Sequence, residues 1–177
     1  MLACLLVSAP LLASAQVLGH VEHDAQGRIK FCRYPDGGQA AFSYDPVTEK
    51  LSMVQENTRV RLYRYNTRGD LVRAWSTTGE QIDLSYDAAG HIVRMDAALG
   101  DAPVQVLDFR YGRAAARDKP VEVRLRGLGR LKVSYNAALE VEKVVSEPAD
   151  PQIALHLAQV FQHLMGLVQD AGVKMGL

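Results

Sequence analysis

The chain has 177 residues, twenty basic side chains against twenty acidic ones, and 48 % hydrophobic residues. Zero formal charge argues against a nucleic-acid binder, whose affinity rests on a basic surplus, and the apolar fraction is that of a core-forming chain. Two cysteines exclude a disulfide-stapled scaffold, and no apolar run reaches the roughly 18 to 20 residues of a membrane-spanning helix.

In chain order, the first segment is Met1–Ala15, which carries no charged side chain and ends in Ala13-Ser14-Ala15. An apolar run closed by a small-x-small triplet predicts a secretory signal peptide over residues 1–15, cleaved before Gln16. The mature chain is then expected to be periplasmic or secreted. Cys4 precedes the apolar run instead of following it, which argues against a lipoprotein. Cleavage leaves Cys32 as a lone thiol in Lys30-Phe31-Cys32-Arg33, a strand-like stretch where a free cysteine serves as a small buried hydrophobe.

Residues 16–147 are periodic and are predicted to form one β domain. Asp24, Asp45, Asn66 and Asp87 recur at a spacing of 21 residues, three of them preceded by Tyr44, Tyr65 and Tyr86. Tyr135-Asn136 begins a degenerate further copy, and the 49-residue interval between Asp87 and Asn136 has room for one altered unit around Tyr111. Each unit reads as a hairpin. Asp or Asn opens the turn by accepting backbone N–H groups ahead of it, and Gly27, Gly69 or Gly90 takes the left-handed conformation that closes a three-residue loop. The Asp45 copy uses Pro46 and carries one extra residue. The Asn136 copy has Leu139 where glycine is expected, so its loop must differ or carry strain.

Alternating patterns flank these turns. Ala40, Phe42 and Tyr44 share a face, as do Ile82, Leu84 and Tyr86, and Leu131, Val133 and Tyr135. Arg59-Val60-Arg61-Leu62 and Val121–Arg126 alternate apolar and charged residues, which predicts strands with one buried and one solvent-facing side. Opposite turns fall at Pro35–Gly38, Glu56–Thr58, Ser76–Gly79, Leu99–Asp101 and Gly127–Gly129. The expected fold is mainly β, an antiparallel up-and-down meander of ten to twelve short strands. Gly112–Lys119 breaks the rhythm and reads as a protruding loop or a single helical turn. From Pro148 the period becomes helical, with Asp150 and Pro151 as start signals and a stripe through Ile153, Leu157, Val160, Phe161, Leu164 and Leu167. One amphipathic helix within 148–177 is therefore expected to pack on the sheet.

Site chemistry is sparse. His20 and His23 face opposite sides of a strand, His156 and His163 stand too far apart on one helix face to share a metal, and His91 follows a turn where polar residues are ordinary. Metal-ligating, phosphate-cradling and nucleophile-elbow motifs are absent, so neither an enzyme nor a cofactor is expected. The strands are too short, and their outer faces too charged, for a transmembrane barrel. Candidate binding residues are Arg113, Arg117 and Lys119 in the loop, with Tyr63 and Trp75 on strands, where burial tendencies favour core or cross-strand packing.

The Tyr-Asp-x-x-Gly-x-Ile/Leu unit resembles the YD-repeat, or Rhs-repeat, family of bacterial Rhs proteins, insecticidal toxin complexes and teneurins. The resemblance is clearest from Val17 to Met95 and weakens towards Val145. It implies a β-sheet strip of the kind that spirals into hollow shells in large members, with glycan binding attributed to some of them. This chain has four or five repeats, far fewer than such shells use, and Asp45-Pro46 and Asp150-Pro151 lack the context of the family's self-cleaving segment. The expected function is a non-catalytic exported β-repeat module of the bacterial cell envelope or exterior, binding a protein or glycan partner and no nucleic acid. The alternative is an accessory or immunity-like protein of an Rhs-type toxin system.

Overall fold

The computed structural model describes residues 19–148, together with 152, 155, 156 and 159. The predicted signal peptide at 1–15 lies outside them. Twelve strands form one antiparallel sheet in which strand order follows chain order. The chain divides into two compact units, Met1–Leu62 and Tyr63–Leu177, and the division falls within the fifth strand.

The first unit holds β1 (His20–His23), β2 (Ile29–Arg33), β3 (Gln39–Tyr44), β4 (Leu51–Glu56) and the start of β5 (Arg59–Tyr65). Its buried residues are Cys32, Ala40, Val54 and Arg61, with Cys32 directly opposite Ala40. The expected alternation in β5 is inverted. Arg61 and Tyr63 are buried, at 7 % and 5 % exposure, while Val60 and Leu62 are only half-buried. Register is the cause: Arg61 is the cross-strand partner of Val54, which is fully buried and itself opposite Phe42. A one-residue parity choice sends every side chain of a strand to one face or the other, and the register with β4 decides it here. Arg61 lays its apolar stem along that face and carries its guanidinium to Glu56 at 2.8 Å. Tyr63, expected among the candidate surface residues, is thereby core.

The second unit holds the rest of β5, then β6 (Leu71–Ser76), β7 (Glu80–Tyr86), β8 (Ile92–Leu99), β9 (Gln105–Tyr111), β10 (Pro120–Leu125), β11 (Gly129–Tyr135) and β12 (Val141–Glu147). Its core follows the pairing. Ala74 faces Ile82, Ile82 faces Ala97, Leu84 faces Met95, and Met95 faces Leu107. Small residues thus flank the branched Ile82 on both sides; both it and Met95 are fully buried. Each such side chain contributes roughly 1.5–3 kcal/mol through removal from water. The Val121–Arg126 alternation holds in its second half, with Val123 and Leu125 buried and Arg124 exposed. A register shift between Pro120 and Glu122 breaks it at the start and leaves Glu122 buried.

Gly112–Lys119 contains a single 3₁₀ turn, Ala114–Ala116. Within the C-terminal stretch, Gln152, Leu155, His156 and Gln159 are helical, and His156 Nε2 lies 3.4 Å from Gln105 Oε1 at the start of β9. The other residues assigned to that helix by periodicity lie outside the described ones.

The turn backbone yields a prediction. Leu139 adopts φ +61° at the place where Gly90 adopts φ +91°, and no heavy atom lies within 4 Å of a Cβ built on Gly90. Only backbone strain then separates the two residue types, about 1–2 kcal/mol for a left-handed non-glycine. Leu139→Gly should stabilise and Gly90→Ala should destabilise, each by about 1 kcal/mol, or a few degrees in melting temperature. Thermal and urea denaturation of the purified variants check both signs.

Candidate functional site

In each unit the Tyr-Asp turns lie at one end of the strands, and four of the five are built the same way. The Oδ1 atom of the opening residue accepts two backbone N–H groups, two and four residues on. Asp24 takes Gln26 and Arg28, Asn66 takes Arg68 and Asp70, Asp87 takes Ala89 and His91, and Asn136 takes Ala138 and Glu140, all at 2.9–3.0 Å. A backbone bond from the fourth residue back to the first closes each loop, through Gly27, Gly69, Gly90 and Leu139. The longer Asp45 loop binds Val47 and Thr48 instead, and Glu49 takes the left-handed position at φ +58°. Donated hydrogen bonds hold these carboxyls below the usual range; the backbone N–H of Thr48 is the largest cause for Asp45 and that of His91 for Asp87.

A complementarity between the first and fifth turn residues escapes the sequence pattern. An opening aspartate pairs with a cation or histidine: Asp24 with Arg28 at 2.7 Å, and Asp87 with His91 at 3.1 Å. An opening asparagine pairs with a carboxylate, its Nδ2 donating to Asp70 at 3.0 Å or to Glu140 at 2.9 Å. The signal lay in the covariation of two positions within each repeat, which a search for the Asp and Gly alone passes over.

The tyrosine before the turn ties the strands together. The hydroxyls of Tyr44, Tyr86 and Tyr135 each donate to a backbone carbonyl 15 residues earlier, on Ile29, Leu71 and Pro120, at 2.6–2.9 Å. Tyr111 does the same to Ile92 at 3.0 Å across a separation of 19 residues, so it is the tyrosine of the altered unit. Burial pushes the Tyr65 and Tyr86 hydroxyls up to about 12.

Neighbouring turns are clipped to one another by long side chains. Arg28 donates to the Glu49 carbonyl at 3.3 Å, and Arg68 reaches the carbonyls of Asp87 and Ala88 at 3.4–3.5 Å. The next clip is His91. Its Nδ1 meets Asp87 at 3.1 Å, its Nε2 meets Asp118 at 3.0 Å, and its ring stacks on Tyr111 with centroids 4.6 Å apart. Asp118 belongs to the loop that replaces a regular turn, so His91 fastens that loop to the edge. Within the loop, Gly112 packs so closely that an added Cβ would stand 2.6 Å from the Ala116 carbonyl oxygen. Arg113 and Arg117 project from it exposed, while Lys119 is half-buried.

The remaining candidate lies elsewhere. Trp75 is half-buried near the far end of β6, opposite Gln81. Strands run from the Tyr-Asp edge to the opposite edge, so Trp75 and the basic loop stand at opposite ends of the sheet and form no single site. Trp75 shares its face with ion pairs, Arg73 with Asp83 at 2.5 Å and Arg94 with Asp96 at 2.9 Å. Among the described residues no group of three His, Cys, Asp or Glu side chains is placed to hold a metal, and no helix is long and apolar enough to cross a membrane.

No family model matches the chain, and none of the curated proteins compared with it is similar. Solved structures are. The crystal structure of TcdB2-TccC3 superposes on 71 % of this chain with a TM-score of 0.59 at 14 % identity. Those of TcdB2-TccC3-TEV and TcdB2-TccC3-Cdc42 each superpose on 76 %, with TM-scores of 0.56 and 0.57 at 10 % and 11 % identity. The match covers 7–8 % of those much longer chains, and at these identities it shows a shared fold.

His91 makes the loop attachment pH-dependent. The bond to Asp118, then that to Asp87, raises the His91 pKa above its ordinary 6.5, and the His91 contacts lower those of both aspartates below 3.8. The histidine contribution is fully present below about 6.5 and is lost as pH rises through the raised value. The aspartate contribution is present above about 3.8 and is lost as pH falls through the lowered values. A neutral imidazole has one N–H and can donate to only one carboxylate. Amides in 112–119 should therefore lose exchange protection, corrected for intrinsic rate, as pH rises from about 6.5 through the raised His91 value. His91→Gln should abolish that pH dependence. For the tyrosine ties, Tyr86→Phe should cost about 1 kcal/mol by orphaning the Leu71 carbonyl, measured by urea denaturation.

Proposed function

We propose that this chain is a member of the YD-repeat family serving as a non-catalytic exported module of the bacterial cell envelope or exterior, where it binds a protein or glycan partner. The observation that carries the reading is the loop at 112–119. Among the described turns on the Tyr-Asp edge it alone lacks an opening Asp or Asn, it displays Arg113 and Arg117, and His91 pins it to a rigid edge through Asp118. Interruptions held on a rigid scaffold suit recognition, because little ordering entropy is lost on binding. The repeat pattern and the sheet shared with TcdB2-TccC3 support the family reading.

The same likeness supports a second reading, an accessory or immunity-like protein paired with a larger Rhs-type toxin. A toxin-type gene beside this one, and a complex between the two products, would favour it.

Export is tested by fractionating a tagged chain and sequencing its N-terminus. Gln16 at the start of a periplasmic or secreted product is expected, and cytoplasmic protein retaining Met1 overturns export. Binding is tested on a glycan array and against the adjacent gene product. Arg113→Ala/Arg117→Ala should weaken retention about tenfold, equivalent to about 1.4 kcal/mol. Unchanged retention overturns the role of the loop, and turnover of a generic hydrolase substrate overturns the non-catalytic reading.

A further inference from the structure

The hairpin joining β10 to β11 stands at the edge opposite the Tyr-Asp turns. Together with Glu147 on β12, residues 124–130 line an open depression of about 310 Å³. Three arginines bound it, and they are not equivalent. Arg126 is held by Asp108 through two hydrogen bonds at 2.8 and 3.0 Å. Arg130 is held by Glu147 at 2.7 Å, with Glu122 at 3.6 Å. Lys132 takes the other oxygen of Glu147 at 2.7 Å. The Arg124 side chain is exposed and makes no hydrogen bond or ion pair among the described residues, and only its longer-range field reaches Asp108.

The register sets Arg124 between a like charge and a carboxylate that already holds another cation. Arg124 faces Arg130 directly on one side, and like charges opposite each other across a strand pair repel. On its other side stands Asp108, whose two oxygens are engaged by Arg126. Asp108, Glu122 and Glu147 each pair with another cation. A sequence of zero net charge thus gathers a local positive excess around one unengaged guanidinium. The two flanking guanidiniums are already immobilised by their carboxylates, so a ligand need order only Arg124. An oxyanion is the chemistry that fits, since a guanidinium fork offers paired N–H donors to a carboxylate or phosphate. Leu128, 49 % exposed at the tip, supplies an apolar lip that a free ion would not use.

We propose that the β10–β11 hairpin is an oxyanion-binding site in which Arg124 takes a carboxylate or phosphate group and Arg126 and Arg130 form its fixed flanks. The site is separate from the loop at 112–119, so its failure leaves the reading of that loop intact. The test titrates the full chain at low ionic strength with three probes: inorganic phosphate, a polygalacturonate oligomer, and a neutral sugar oligomer of equal length. Binding of phosphate alone identifies a phosphate site, binding of polygalacturonate alone a carboxylate site, and either supports the proposal. Arg124→Ala should weaken binding at least tenfold and Arg124→Lys less, because an ammonium cannot form the fork. Arg124→Gln, shorter but polar and uncharged, guards against misfolding, and its melting temperature should equal or exceed that of the parent. Arg64→Ala, at an exposed arginine on β5, should leave binding unchanged. The proposal is overturned if no anion binds, if the neutral oligomer binds equally, or if Arg64→Ala and Arg124→Ala lose binding alike.

Discussion

The architecture depends on one local bond pattern: a side-chain Oδ1 that accepts two backbone N–H groups two and four residues ahead. It satisfies donors that a tight turn would otherwise leave without partners and aims the chain back on itself. The left-handed fourth residue then sets the bulge that returns the next strand in register. Where glycine is missing the pattern still holds, as Leu139 shows, so the hydrogen bonds outweigh the strain of roughly 1–2 kcal/mol. Repetition of this turn on one edge gives consecutive antiparallel pairing without crossovers.

From that edge the sheet acquires two chemically distinct faces. On the inner face, register sets small residues beside large ones, Ala74 and Ala97 flanking Ile82. On the outer face of the second unit the same register lines up charges, from Arg73 and Asp83 to Arg130 and Glu147. Exposed pairs of this kind contribute little stability individually. Their consequence is positional. They immobilise long side chains, so the few that stay unengaged, Arg124 among them, become the chemically available groups.

Much of this was legible in the residues. The 21-residue spacing, the Asp or Asn opening, the glycine closure and the alternation on either side led to twelve strands in chain order. The irregular stretch at Gly112–Lys119 showed as a break in the same pattern. Three features were not legible, and each depends on what lies across a strand or beyond a turn. His91 looked ordinary, because its second partner, Asp118, is 27 residues away. Arg61 reads as outward-facing, because alternation specifies that faces alternate but not which face is inside. That the basic loop lies at the end away from Trp75 depends on how β9 pairs, because the irregular unit around Tyr111 leaves its place open in the residues alone.

Local chemistry, then, was enough to specify the unit: each turn is closed by atoms within five residues of one another, so its hydrogen bonds are implied by the sequence that makes it. The sequence also determined that the unit repeats, and hence that the strands meander. Tertiary structure alone decided which members of those strands meet. The parity of β5 followed from its register with Val54. The fastening of the loop followed from His91 reaching Asp118, and the isolation of Arg124 from Arg126 having taken Asp108. Ion pairing and packing act over a few ångströms of space irrespective of chain separation, and only the paired strands bring those distances about.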